Sequence, residues 1–143
     1  MRVLIADDSR AMRMIVLRTL RQTGVVIDEV LEVPDALGVL TEMIDFRPDL
    51  ILSDWNMPGM SGIELLELLR QNGDTTPFGF ITVESSPAMR ERAIDAGAAF
   101  LLVKPFDAEH LGEMVSDVAA DIAADIAADI AADIAVRPGG ARR

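Results

Sequence analysis

The sequence predicts an α/β domain with a parallel sheet, and three observations carry the prediction. Five short runs rich in Val, Ile, Leu or Phe are bounded by polar or turn residues, the pattern of strands buried on both faces. Helical patterns separate these runs, so strand and helix alternate along the chain. The length of 143 residues suits about one domain with one core. Right-handed crossovers then set the carboxyl ends of all the strands along one edge of the sheet, where ligands of such folds bind.

The first run, Val3–Ala6, leads into a helix that follows Ser9 and stops before Gly24, with Met12, Ile15, Val16 and Leu20 as its inward stripe. Part of Val25–Val33 forms the second strand, and a helix runs from about Pro34 to Asp45. The third run, Leu50–Ser53, ends in Asp54, a tryptophan and a turn built from Asn56, Pro58 and Gly59. Ser61 and Glu64 have capping-box spacing and open a helix that ends near Gly73. Phe78–Val83 is the fourth strand, and its helix opens at Ser86-Pro87 and ends at Gly97. Ala99–Val103 is the fifth. The last helix begins at Asp107, sets Leu111, Met114, Val115 and Val118 on one face, and runs into "DIAADIAADIAADIA". Alanine favours continuation to about Val136, where Arg137-Pro138-Gly139-Gly140 stops the helix. The expected division is a domain over residues 1–120 and a helical extension with a flexible end over 121–143.

Composition narrows the partners. With 24 Asp and Glu against 13 Lys and Arg, the chain suits metal cations and basic surfaces, and neither nucleic acid nor anionic membrane. The absence of cysteine excludes disulfides and thiolate metal sites. The opening apolar run is too short for a signal peptide and no stretch approaches a membrane span, so a cytoplasmic location is expected. Of the 13 basic side chains only Lys104 is lysine, which points to a site wanting a compact, mobile ammonium instead of a planar guanidinium.

The predicted edge collects chemistry. The first strand ends in Asp7 and Asp8, the third in Asp54, the fourth in Thr82 and the fifth in Lys104. Each residue alone is ordinary, since aspartate caps helices and threonine suits strands. Together, three carboxylates repel and imply a counter-charge. Oxygen ligands without His or Cys select a hard ion such as Mg²⁺, which leaves room for a phosphate oxygen. The set makes a phosphoryl-transfer site, with Asp54 as nucleophile, the metal and Lys104 neutralising the phosphoryl oxygens, and Thr82 donating a hydrogen bond.

These residues and their surroundings strongly resemble the receiver domain of two-component response regulators, and within it the chemotaxis type. The matching motifs are "DDS" at Asp7–Ser9, "SDWNMPGMSGIELL" at Ser53–Leu66, "TVE" at Thr82–Glu84, "AGA" at Ala96–Ala98 and "KPF" at Lys104–Phe106. The resemblance implies a flavodoxin-like, doubly wound sheet in the order 2-1-3-4-5. It implies Asp54 as phosphoacceptor, Asp8, Asp54 and the Asn56 backbone carbonyl as Mg²⁺ ligands, and Asp7 as a nearby acid orienting water or metal. Thr82 and Lys104 become the switch hydroxyl and the phosphate partner, and Lys104-Pro105 a cis peptide. Asn56 and Glu84 occupy positions that influence how fast the acyl phosphate hydrolyses. The implied partners are a histidine kinase or histidine phosphotransfer protein and a downstream protein target. One position departs from the family, which carries Tyr or Phe three residues before the lysine; here it is Leu101, and strand alternation sends the neighbouring Phe100 to the opposite face.

The implied function is a stand-alone receiver that signals by protein contact, possessing self-phosphorylation and autodephosphorylation chemistry without being a classical enzyme. Alternatives are a phosphorelay intermediate, an interaction module working through its tail, and a haloacid-dehalogenase-type phosphatase; the last expects Asp-x-Asp after the first strand, where this chain has Asp7-Asp8. On the first helix, Met14 and Leu17 fall opposite the expected core stripe among Arg10, Arg13, Arg18 and Arg21, a surface suited to a helical phosphodonor. Along the tail, isoleucine recurs every fourth residue and drifts about 40° per repeat, so a regular long coiled coil fits badly; the stretch reads first as a repeat expansion tolerated as a solvated or fraying helix, and second as a short surface for self-association or docking.

Overall fold

The computed structural model describes residues 1–136. Its elements alternate as β1 (Arg2–Ala6), α1 (Arg10–Arg21), β2 (Glu29–Val33), α2 (Ala36–Phe46), β3 (Leu50–Ser53), α3 (Gly62–Gln71), β4 (Phe78–Thr82), α4 (Pro87–Asp95), β5 (Phe100–Val103) and α5 (Ala108–Val136). All five strands are parallel in the order β2-β1-β3-β4-β5, as the flavodoxin-like expectation requires.

Alternation along the strands divides the interior in two. Leu4, Ala6, Ile51, Phe78 and Phe80 face a core closed by α2, α3 and α4. Val3, Ile5, Leu50, Leu52 and Ile81 face a second core closed by α1 and α5. Phe100 belongs to the second core, and its register partner Gly79 makes room for the ring: a Cβ on Gly79 would lie 2.2 Å from Phe100 Cζ. Leu101 packs against the first core, so the two residues occupy opposite faces as alternation requires.

The helix ends follow local chemistry. The Ser9, Asp35, Ser61 and Ser86 side chains each accept a backbone N–H in the first turn of the following helix, and Ser61 and Glu64 complete the capping box. Gly73 and Gly97 follow the last residues of α3 and α4 with φ of 79° and 86°, the left-handed turn that favours glycine.

Three expectations are corrected. Ile15 is 46% exposed, whereas Thr19 is buried, its hydroxyl satisfied by donating to the Ile15 carbonyl at 2.8 Å. The inward arc of α1 is thereby turned toward Thr19, and Leu17, expected outside, packs on the second core. Gly24 has φ of 80° but stands two residues beyond the Gln22 cap, not at the first position after it. Val83 lies past the end of β4 with 65% of its side chain exposed, so it is not a strand valine.

The last helix is unbroken for 29 residues, about 43 Å. Leu111, Val115 and Val118 are buried and Ile122 is partly buried, whereas every residue from Ala123 to Val136 is exposed. The expected continuation through the repeat is present; its stop at Arg137-Pro138-Gly139-Gly140 lies outside the described residues.

The start of α3 pins the end of β3. Gly62 N–H donates to the Trp55 carbonyl at 2.7 Å, and a Cβ on Gly62 would fall 2.1 Å from the Asp54 carbonyl oxygen. Since that oxygen belongs to the backbone, relief requires moving the strand end. Gly62→Ala is therefore expected to destabilise the fold by about 1–3 kcal/mol, the usual cost of overpacking, measured as a lower urea midpoint at unchanged slope.

Candidate functional site

Two adjacent strands, β1 and β3, deliver the acidic residues. Asp7 N–H donates to the Val33 carbonyl at 3.2 Å and Asp54 N–H to the Ala6 carbonyl at 2.9 Å, so ladder bonds continue one residue past each strand and fix both α-carbons. The turns that follow aim the side chains. Asp7 Oδ1 accepts from Ser9 N–H at 2.9 Å, and Asp54 Oδ1 accepts from Trp55 N–H at 2.7 Å. Asp8 is exposed, and one carboxylate oxygen from each of Asp7, Asp8 and Asp54 falls within 4.8 Å of the others.

Lys104 reaches this group from β5. Its N–H donates to the Thr82 carbonyl at 2.7 Å, and the Lys104-Pro105 peptide is cis, as the resemblance implies. The ammonium lies 3.2 Å from Asp7 Oδ2 and 3.6 Å from Asp54 Oδ2. Lys104 and Asp7 side chains are only 9% and 5% exposed, so little water screens this bridge.

Burial pushes the Asp54 carboxyl above the ordinary aspartate range; the Lys104 ammonium opposes that shift, the Asp7 carboxylate adds to it, and the Trp55 and Asn56 backbone N–H groups oppose it. The site therefore holds more negative charge than one ammonium balances. Its donor set, three carboxylates within reach of a single ion and no nitrogen or sulfur ligand, fits a hard divalent cation.

Thr82 is fully buried, and its hydroxyl oxygen has no hydrogen-bond partner among the described residues. Such an orphan is uncommon in a folded interior. Asn56 and Glu84 are exposed; of the residues expected at the edge, Asp7, Asp8, Asp54 and Lys104 converge, and Thr82 adjoins through its backbone bond to Lys104.

Two supporting residues escaped the sequence reasoning. Arg13, expected on the docking rim, turns inward: its Nη1 donates to the Asp7 carbonyl at 2.7 Å and its Nε lies 3.4 Å from Glu32. The Ser53 hydroxyl donates to the Asp54 carbonyl at 2.8 Å. Ser53 carried a legible signal, because a serine closing an apolar buried strand must find a partner; Arg13 carried none beyond its place one turn after Ser9.

Trp55 is buried against Phe80, ring centroids 4.9 Å apart, while its backbone N–H donates to the Asp54 carboxylate. An indole core contact and the acidic site thus share one residue.

Comparison with known proteins agrees with this geometry. The family model of the response regulator receiver domain matches residues 3–116. A chemotaxis protein CheY homolog of Campylobacter jejuni is 35% identical over 122 residues, covering 82% of this chain and 91% of that protein. Chemotaxis protein CheY-3 of Vibrio cholerae is 37% identical over 115 residues, 79% of this chain and 87% of its own length. The solved structure of the chemotaxis response regulator CheY4 of Vibrio cholerae superposes with a TM-score of 0.70 at 35% identity, covering 82% of this chain and 97% of that one.

A raised carboxyl pKa has a definite sign in stability. Above its folded value the buried charge weakens the fold, and the penalty fades as pH falls through that value toward 3.8, where the unfolded group also gains its proton. In metal-free protein, Asp54→Asn should raise the melting midpoint at pH 7 by a few degrees, on the order of 2–4 °C. Calorimetry should find a smaller gain at pH 4.

Proposed function

The chain belongs to the response regulator receiver domain family, and from that premise we propose that it is a phosphorylation switch whose acceptor is Asp54. The observation that carries the reading is the Lys104 ammonium, buried 3.2 Å from Asp7 and 3.6 Å from Asp54. In this reading an Asp54 carboxylate oxygen attacks the phosphorus of a phosphohistidine on a histidine kinase or phosphotransfer protein. The bond from phosphorus to the donor breaks, and its electron pair leaves with the imidazole. Lys104 balances the added negative charge on the phosphoryl oxygens, and the Thr82 hydroxyl, lacking an acceptor, donates to one of them.

Asp8, Asp54 and the Asn56 carbonyl would hold Mg²⁺ with Asp7 beside it, and the ion would neutralise carboxylate and phosphoryl charge together. Water attack on the acyl phosphate then returns Asp54 and inorganic phosphate, with Asn56 and Glu84 setting the pace. The output is a change in protein contacts, and the boundary near residue 120 separates this receiver from its helical extension. Similarity to chemotaxis proteins makes a chemotactic target the favoured one within this reading.

Acetyl phosphate with Mg²⁺ should add one phosphate mass to the intact protein and change Trp55 fluorescence, because the Trp55 N–H lies on the Asp54 carboxylate. Asp54→Asn or chelation of Mg²⁺ should abolish the mass gain, and an Asn variant that still gained it would remove Asp54 from the role.

Lys104→Arg tests the point charge separately. A planar guanidinium is bulkier and presents a fixed fork, so it cannot take the same place between Asp7 and Asp54. The Arg variant should still gain phosphate mass, more slowly by roughly tenfold or more, yet lose phosphorylation-dependent affinity for its target; titration calorimetry of phosphorylated protein against that target gives the readout.

A further inference from the structure

α5 leaves the domain with an apolar face uncovered. Ile122 still packs on the second core, but Ile126, Ile130 and Ile134 are 56%, 56% and 63% exposed. Spaced four residues apart they form an i±4 ridge that winds about 40° per step around the helix, bordered on one side by alanines and on the other by Asp125 and Asp129. α1 carries an uncovered face of opposite charge. Arg10, Met14 and Arg18 share an i, i+4, i+8 row with Arg21 on the same side, and Met14 and the flanking Ile15 are 50% and 46% exposed. Among the described residues, the arginine ion pairs are those of Arg2, Arg13 and Arg92, so Arg10, Arg18 and Arg21 are uncommitted.

We propose that the tail of one copy of this chain lies across α1 of a second copy, its isoleucine ridge against Met14 and Ile15 and its aspartates against Arg10, Arg18 and Arg21. Among the described residues neither Asp125 nor Asp129 pairs with the chain's own α1; α5 is a single helix from Ala108 to Val136, and this stretch of it runs beside Pro48 and Pro77 at the amino-terminal edge of the sheet. Pairing tail with tail would set two acidic rows together, whereas pairing tail with α1 joins opposite charges. The two rows match in length, each spanning nine residues and about 12 Å from first to last.

The strength of the contact follows from its size. Helices meeting through i±4 ridges cross at about −50°, so one crossing is short and falls below the roughly 1,200 Å² of a stable interface. A two-fold arrangement supplies the crossing twice. The expected result is a weak dimer dissociating on the order of 10–100 μM. Because α1 begins beside Asp8 and Ser9, an occupied α1 would compete with a phosphodonor; that consequence alone rests on the proposed function.

The test is sedimentation equilibrium of the full chain with two charge-reversed variants, Arg18→Glu with Arg21→Glu, and Asp125→Lys with Asp129→Lys. Unaltered protein should dimerise, and each variant alone should weaken the dimer at least tenfold with unchanged circular dichroism. Mixing the two variants should restore association, since each reversed surface then meets a reversed partner. A monomer at every concentration up to about 500 μM, well above the range expected of so small an interface, would overturn the proposal. So would a mixture that stays monomeric. An Arg18→Glu/Arg21→Glu protein that dimerises undiminished would place the tails against each other and overturn it as well.

Discussion

An ammonium held between a buried and a half-buried carboxylate governs the open edge of the sheet. In the order β2-β1-β3-β4-β5, the strand carrying Lys104 is separated from β3 by β4 and from β1 by β3 and β4. Only a long, unbranched side chain can cross that distance and end in a point charge. The ammonium lies 3.2 Å from Asp7 and 3.6 Å from Asp54, so without it two like charges would remain in a poorly solvated place. The turns share the task, because the N–H groups that fix Asp7 and Asp54 belong to Ser9 and Trp55, residues that lead into α1 and α3. The turn after β1 thus both fixes Asp7 and leads into α1, whereas Asp54 is fixed by the turn after β3, ahead of the Ser61–Glu64 capping box that starts α3.

What was legible in the sequence follows from which physical signals are local. Helix caps depend on residues three apart, so Ser9, Ser61 with Glu64, and Ser86-Pro87 marked their helices correctly. The central strands β1, β3 and β4 were legible because helices cover both their faces and leave no polar face to blur them, whereas the edge strand β2, with Glu29 and Glu32 exposed, was placed only within Val25–Val33. Helix rotation was not local information. Ile15 looked inward by hydrophobicity, but Thr19 satisfies its hydroxyl within its own helix and takes the buried place, so burial of α1 was decided by packing on β1 and α5.

The same distinction applies at the edge. Asp7, Asp8, Asp54 and Lys104 were foreseeable because topology alone brings strand ends together, and charge explains why they stay. Arg13 was not, since its inward turn depends on a carbonyl at Asp7 and a carboxylate on β2, neither its sequence neighbour. In α5, alanine propensity predicted the length but said nothing about what covers the isoleucines.

Thr82 and Leu101 together constrain how a signal could leave the site. Among the described residues the buried Thr82 hydroxyl has no partner, and an unmet hydroxyl of this kind costs about 1–3 kcal/mol, which a phosphoryl oxygen on Asp54 would relieve in the proposed switch. Movement of Thr82 toward such an oxygen would vacate volume on the side of β4 away from the site. Where an aromatic ring stands three residues before the lysine, it can swing to fill that space. Leu101 is smaller, already packs on the first core, and its neighbour Phe100 is locked over Gly79 on the opposite face. Close packing leaves few alternatives. Were Asp54 phosphorylated as proposed, the adjustment would fall to the segment directly after Thr82, where Val83 and Glu84 are exposed and lie past the end of β4, and the changing surface would shift from β5 toward the start of α4.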